Sequence, residues 1–414
     1  MSEIQIGLSK NARPTYSLDD VALVPTRRTR DRRDVDTSWQ IDAFKFDTPI
    51  IGAPMDSVMS PATAIALGKL GGLGVLNLEG LWTRYEDPQP LLDEIVELPE
   101  ADPASATTRM QQIYSEPIKP ELITARLEEI RDSGVVVAGS LSPQNTQEHY
   151  ETVVKAGVEL FVIRGASVSA EHISTSHEPL NLKKFIYELD VPVIVGGVAG
   201  YSQAKHLMRT GAAGVLVGFG GGSAQTTRQG LGISAPMATA IADVAAARSD
   251  YLDESGGRYV HVIADGSLGR SGDMVKALAL GADAVMLGAP LARASEAPGQ
   301  GWYWGNEAHS LDFPRGVRTP LGVVGSLEEV LYGPSHHVNG TSNIVGALKR
   351  AMANCGYLDL KKFQKADLTV VPAYRGECSF MNHRPVADGF IPPATGRYCF
   401  EVFFWIGRES LSLE

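Results

Sequence analysis

Cysteine is scarce in this chain of 414 residues: there are three, Cys355, Cys378 and Cys399, all beyond position 354. Such sparse, late usage supplies neither a disulfide framework nor paired zinc-ligand spacing. His336 and His337 adjoin in a loop rich in Pro, Gly and Asn with no further ligands at metal spacing, so they read as an exposed loop pair and no metal is expected from them. Long apolar runs are also missing. None approaches the roughly 18 residues of a spanning helix, and Met1–Arg13 lacks a signal-peptide core, so no membrane role is expected and the cytoplasm is the expected compartment. Positive charge is in deficit, with 37 Lys+Arg against 48 Asp+Glu and a net charge of -11. Gripping nucleic acid needs the opposite balance, so no nucleic-acid partner is expected. The basic run Arg27, Arg28, Arg30, Arg32, Arg33 is broken by Asp31 and Asp34 and reads as a solvated or interface segment.

What the chain does have is one repeated pattern: a short apolar run, then glycine or polar residues, then a helical stretch. Apolar runs without polar alternation are the signature of buried parallel strands. Eight are expected, at Pro49–Ala53, Gly72–Leu76, Val135–Ala138, Leu160–Ile163, Pro192–Val195, Gly214–Gly218, Val260–Ala264 and Ala284–Gly288. Helices are expected at Ser202–Thr210, with Ser202 as N-cap and Gly211 as stop, at Ala238–Arg248, at Ser271–Leu280 and at Asn343–Asn354. Eight strands with helical crossovers imply an α/β fold, a closed (β/α)8 barrel, with an open doubly wound sheet as the alternative. One barrel domain is expected over residues 1–370, with an insertion over about 80–133. The tail 371–414, with Pro392-Pro393 and the cluster Tyr398, Phe400, Phe403, Phe404, Trp405, has no assigned role.

Chemistry in such a barrel belongs to the loops after the strands. Strand six leads into Gly218-Phe219-Gly220-Gly221-Gly222-Ser223-Ala224-Gln225-Thr226-Thr227-Arg228. Here glycines allow tight turns and present N–H groups to an anion, with hydroxyls beside them. Strand seven ends in Asp265-Gly266-Ser267 and strand eight in Gly288-Ala289. Two glycine loops flanking a strand-end carboxylate suit a phosphorylated nucleoside or sugar, because Asp265 can accept hydrogen bonds from both hydroxyls of a ribose. Read as structure alone, the same features are turns, and Thr226 and Thr227 cap the short helix that follows.

The residues resemble the IMP dehydrogenase/GMP reductase family over roughly positions 14–370. The resemblance rests on Ser17–Pro25, Ala53-Pro54-Met55-Asp56, Gly72-Leu73-Gly74-Val75, Gly220–Arg228, Ile263–Gly266, Ala277–Gly288 and Glu296-Ala297-Pro298-Gly299. The chain looks most like a short branch without the regulatory cystathionine-synthase-type domains. The resemblance implies a homo-oligomer (tetramer or octamer) binding a purine mononucleotide, IMP, GMP or XMP. It places Gly222, Ser223, Gly266, Ser267, Gly288 and Ala289 around the phosphate, Asp265 at the ribose and Met55 near the nucleotide. It implies NAD as cofactor, with Arg164, Gly218 and Gly220 at that site, and a monovalent cation such as K+ on the carbonyls of Gly220, Gly222 and Gln225. In the family reaction a cysteine thiolate attacks the purine, hydride leaves to the nicotinamide, and hydrolysis gives XMP; a thiolate suits this because it both attacks and leaves well.

The sequence departs from that pattern at the nucleophile. The family loop reads Gly-x-Gly-Ser-x-Cys-Thr-Thr-Arg, and its cysteine is Gln225 here, followed by Thr227 and Arg228. Arg164 stands where dehydrogenases carry an aspartate, Gly197 where an asparagine is usual, Ser267 at a glycine and Ala289 at a serine. The flap between Gly299 and Pro314 is short, and Arg315 and Arg318 both follow it. Three functions remain in view: an IMP dehydrogenase-like oxidoreductase in guanine nucleotide synthesis, a silent purine-nucleotide sensor or regulatory subunit, and an enzyme whose Gln225 orients ligand for non-covalent chemistry.

Overall fold

The computed structural model describes residues 3–175, 179–219, 224, 227–312, 314 and 316–371. Gly220, Gly222, Ser223, Gln225, Arg315, Cys378, Cys399 and the tail therefore lie outside the described residues.

Eight parallel strands close into a barrel, in chain order β1 (Ile50–Gly52), β2 (Leu73–Asn77), β3 (Ala138–Leu141), β4 (Leu160–Arg164), β5 (Val193–Val198), β6 (Gly214–Val217), β7 (His261–Asp265) and β8 (Ala284–Leu287). Closure is made by β8 against β1, with Val285, Met286 and Leu287 opposite Ile50, Ile51 and Gly52. The open-sheet alternative is thereby excluded. Nearly every strand position is buried, as expected for β-branched runs with strands on either side and helices outside. The third strand lies three residues beyond the expected start. Val135–Val137 form its approach, and the strand proper contains Gly139 and Ser140, whose small side chains hid it. Gly139 is small because a methyl group there would meet the Leu78 side chain at 2.7 Å.

Helices run outside the barrel: α1 (Pro61–Lys69), α2 (Gln89–Glu97), α3 (Pro103–Tyr114), α4 (Pro120–Asp132), α5 (Pro143–Lys155), α6 (Leu182–Glu188), α7 (Tyr201–Met208), α8 (Thr227–Leu231), α9 (Met237–Glu254), α10 (Ser271–Ala279), α11 (Leu327–Tyr332) and α12 (Ile344–Asn354). Several starts follow from capping chemistry. Ser60 and Ser142 accept from the backbone N–H three residues on, with Pro61 and Pro143 at the first helical position. The expected N-cap Ser202 is wrong by two residues: Gly200 takes that place and Ser202 is helical. Gly74 lets α1 press onto β2, since a β-carbon there would lie 2.4 Å from the Ala64 Cα.

Within the expected insertion, α4 packs against α1 and α5 as a barrel helix. The true excursion holds α2 and α3, whose Leu92, Ile95, Met110, Ile113 and Tyr114 join Leu81, Trp304 and Ala308 in a satellite core. At the opposite, N-terminal end, the hairpin Trp39–Ile41/Phe44–Phe46 stacks Trp39 on Phe46, and Trp39 Nε1 donates to His261 Nδ1 at 3.2 Å. Among the described residues no helix is long and apolar enough to cross a membrane.

Candidate functional site at the barrel mouth

A cavity of about 460 Å³ opens at the C-terminal ends of the strands. Met55, after β1, lines it, as do Arg164 at the end of β4, Asp265, Gly266 and Ser267 at β7, and Gly288 and Ala289 after β8. Seven of the expected site residues thus come to one place. Gly266 and Ser267 both have positive φ (107° and 56°), which turns the chain sharply away from the strand. Gly288 is required for a different reason: a β-carbon would lie 2.7 Å from the Tyr303 hydroxyl oxygen.

Arg164 and Asp265 are bound to each other. Arg164 Nε donates to Asp265 Oδ2 at 2.7 Å and its Nη2 to Oδ1 at 3.3 Å. Burial opposes the charge on Arg164, but the Asp265 carboxylate more than offsets it and holds the guanidinium pKa above its ordinary value. Tyr303, on the two-residue strand Trp302–Tyr303, lines the same wall. Its phenol is pushed up to about 12 by burial, with Arg164 opposing and Asp265 reinforcing the shift, so it is a neutral hydrogen-bond donor near pH 7.

Other expected residues lie elsewhere. Gly218 (φ 117°) is a packing glycine, since a β-carbon would meet the Asp265 carbonyl oxygen at 2.2 Å and Met237 Sδ at 2.6 Å. Thr227 is buried at the start of α8, and Arg228 is exposed on that helix; neither lines the cavity. Arg318 is turned toward α2, where its Nη1 donates to the carbonyls of Ile95 and Val96, its Nη2 donates to that of Leu98, and its guanidinium sits 4.0 Å over the Trp302 ring. Asp56 is buried outside the cavity lining, accepting from Leu81 N–H at 2.9 Å and Tyr114 hydroxyl at 2.8 Å, and so acts as a loop tie. Cys355 is buried at the end of α12 and does not reach the mouth. Among the described residues no cluster of His, Cys, Asp or Glu has a metal-binding arrangement.

Residues 15–316 match the IMP dehydrogenase / GMP reductase domain. The chain belongs to the IMP dehydrogenase/GMP reductase family. It is 53% identical over 372 residues to an uncharacterized oxidoreductase of Mycolicibacterium smegmatis, covering 89% of this chain and 99% of that protein. A crystal structure of an IMP dehydrogenase/GMP reductase-like protein from Corynebacterium glutamicum superposes with a TM-score of 0.85 at 52% identity, over 89% of this chain and 97% of that one. Inosine-5'-monophosphate dehydrogenase of Methanocaldococcus jannaschii is more distant, 24% identical across 90% of this chain and 95% of its own length.

Reasoning from this family's loops leaves out many of the residues that line the cavity, among them Arg270, Arg293 and Tyr303. Arg270 immediately precedes α10, and Arg293 follows β8 on the short turn Leu291–Arg293. Their position just past the glycine loops was the available signal, because the residues after those loops face the same mouth.

Proposed function

We propose that this chain binds a purine mononucleotide, IMP, XMP or GMP, at its barrel mouth and acts on it as an oxidoreductase of the IMP dehydrogenase type, taking IMP and NAD to XMP and NADH in guanine nucleotide synthesis. Assembly as a tetramer or octamer in the cytoplasm, with a monovalent cation on the loop carbonyls of Gly220, Gly222 and Gln225, belongs to the same reading. The observation that carries it is the convergence of Asp265 with the turns Gly266-Ser267 and Gly288-Ala289 on one cavity. An ionised carboxylate has about four acceptor positions, and Arg164 takes two, so two remain for a ribose diol. Ser223 and Gly222 would complete the phosphate contacts from the strand-six loop.

Two of the residues expected at the dinucleotide are engaged within the protein. Arg164 is occupied by Asp265, and Gly218 is demanded by packing. A second reading, a nucleotide sensor or regulatory subunit without turnover, is favoured by Gln225, since an amide cannot replace the thiolate of the family reaction. Thr227 and Arg228 would act, if they act, only around that position.

NADH formation from saturating IMP and NAD, measured beside a Gln225→Cys variant, separates the two. Steady turnover by the parent chain establishes an oxidoreductase that has dispensed with the thiol at this position. A silent parent that still binds IMP, with turnover in the cysteine variant, establishes the sensor. A parent that binds no purine mononucleotide refutes both.

A further inference from the structure

Five arginines fall within positions 27–33, and all five are exposed. The last two, Arg32 and Arg33, stand on a short turn, Arg32–Asp34, that packs against α12 on the outside of the barrel. Between this turn, α11 and α12 lies a second cavity of about 300 Å³, which shares no lining residue with the one at the mouth. Arg32, Arg33 and Lys349 line it, and among the described residues no carboxylate does. None of the three side chains makes an ion pair or hydrogen bond to the described residues. Asp31, next in sequence, is spent on the turn itself, its Oδ1 accepting from Arg33 N–H at 2.9 Å. Three like charges around one space repel one another unless an anion stands among them. In a chain of net charge -11 they form a local field of the opposite sign to the whole.

The rest of the lining is polar and unsatisfied. Asn343, Gly346 and Lys349 follow at three-residue spacing, which sets them along one side of α12. Asn343 precedes the helix in the left-handed region, φ 53°, yet its side chain makes no cap hydrogen bond. Its Oδ1 is buried with no partner, and its Nδ2, with two N–H donors, makes no hydrogen bond to the described residues either. Gly346 makes room for this side chain, since a β-carbon there would lie 2.1 Å from Asn343 Oδ1. A buried amide oxygen left unpaired costs stability, and folds keep such a group where a ligand uses it. Tyr332 adds an aromatic wall, its ring fixed by the hydroxyl donating to the Leu70 carbonyl at 2.6 Å.

We propose that this outer cavity is a binding site for a diphosphate group, held by Arg32, Arg33 and Lys349 with the Asn343 amide beside them. Charge selects a diphosphate over a monophosphate. One phosphate carries at most about two negative charges near pH 7, which leaves one of the three cations unmatched, whereas a linked pair carries about three. Two adjacent arginines present two planar forks of N–H donors to two linked phosphoryl groups, and the lysine adds a compact point charge. The cavity has the size of a small-molecule site. Inorganic pyrophosphate and a nucleoside triphosphate offer the same group, and the second would lay its base on the Tyr332 ring. The site is separate from the mouth and does not depend on the nucleotide reading given for it.

The test is calorimetric titration of the full chain with pyrophosphate, ATP, inorganic phosphate and sulfate as separate probes, beside Lys349→Gln, the pair Arg32→Gln with Arg33→Gln, and all three together. These side chains have no described partner to lose, so each variant should melt at the parent's temperature; if the triple variant does not, Lys349→Gln decides alone. Pyrophosphate is expected to bind the parent more tightly than inorganic phosphate or sulfate, and less tightly as salt is added. Lys349→Gln and the arginine pair should each weaken it by roughly tenfold or more, from the loss of charge-assisted hydrogen bonds. Lys349→Arg should restore most of the affinity. ATP bound more tightly than pyrophosphate, and lost in the same variants, supports the site with a nucleotide as the source of the group; the reverse order supports it with the inorganic anion. Failure of the parent to bind either one overturns the site. Pyrophosphate affinity unchanged in the folded triple variant, or in Lys349→Gln where that variant decides, places the anion elsewhere and overturns it as well. Sulfate bound as tightly as pyrophosphate reduces the cavity to a cationic surface and overturns the diphosphate assignment.

Discussion

The Arg164 guanidinium at the end of β4 reaches across the barrel mouth to hold the Asp265 carboxylate at the end of β7, 101 positions later in the chain. Asp265 is buried and Arg164 mostly so. Removing the cation strands a carboxylate with no counter-charge, a change that costs about 3 kcal/mol where a buried ion pair loses one member. Arg164→Leu should therefore lower the unfolding free energy by roughly that amount in urea titration and weaken purine-nucleotide binding as Asp265 loses its orientation. Arg164→Leu combined with Asp265→Asn should recover much of the stability and none of the binding. A double variant no more stable than Arg164→Leu would show that the pair is not what the single substitution disrupts.

How far the mouth was legible in the sequence depends on how each part is encoded. Apolar runs such as Leu160–Ile163 and Ala284–Leu287 announced their strands because a parallel strand buries both faces. Ala138–Leu141 did not, because a glycine and a serine interrupt it where α5 and the Leu78 side chain press close. Asp265, Gly266 and Gly288 were found from their places at strand ends. The partnership of Arg164 with Asp265 was not, since nothing local links residues so far apart. The family pattern assigns Arg164 to a cofactor by position alone and says nothing of an arginine turned inward to a carboxylate. Tyr303 escaped for a similar reason: its relation to Gly288 is the absence of a β-carbon, visible only when both are in space.

Gly288 supplies the next expectation. A methyl group introduced there points at the Tyr303 hydroxyl from 2.7 Å, too close for any packing, and the ring is buried with little room to withdraw. Gly288→Ala should cost about 1–3 kcal/mol of stability through overpacking and move Tyr303 into the cavity. Gly288→Ala with Tyr303→Phe should regain part of that loss, because the displaced oxygen is gone. Thermal unfolding of the two variants checks it, and equal melting temperatures would reject the contact as the cause.

Asp56 makes stability fall with rising pH. Burial raises its pKa from 3.8 to about 6, against the opposing effects of the Leu81 N–H, the Tyr114 hydroxyl, Arg84 and Asn77. A carboxyl whose folded pKa lies above its unfolded value binds its proton more tightly when folded. The folded state is thus free of penalty below about pH 4, and destabilised progressively as pH rises to 6. The contribution is on the order of 2–3 kcal/mol. Asp56→Asn should flatten that stretch of the stability curve, measured by urea unfolding at pH 4, 5, 6 and 7. A slope that survives the substitution would assign it to another group.

Asp283 works in the opposite direction, at the closed end of the barrel. It accepts from Arg248 Nη1 at 2.8 Å, Lys361 Nζ at 2.6 Å, the Tyr259 hydroxyl at 2.7 Å, Gln364 Nε2 at 3.0 Å and Val262 N–H at 2.9 Å. Burial alone would raise its pKa, but Arg248 and Lys361 overcome this and hold it at about 2. The same surroundings, burial first and then the two cations against Asp283, lower His261 to about 4, so the imidazole is neutral near pH 7 and free to accept from Trp39. A carboxylate with a depressed folded pKa contributes its full stabilisation above the unfolded value near 4 and loses it as pH falls through 2. Asp283→Asn should therefore cost about 3 kcal/mol at pH 7, with a smaller loss at pH 3. Lys361→Ala should cost less than half as much, because Lys361 is more than half exposed while Arg248 is buried deep beside the carboxylate. Since this cluster ties the chain after α12 to the starts of β7 and β8, at the end remote from the cavity, neither substitution should change nucleotide affinity in protein that remains folded. Loss of binding in a folded Asp283→Asn variant would mean that the two ends of the barrel are coupled.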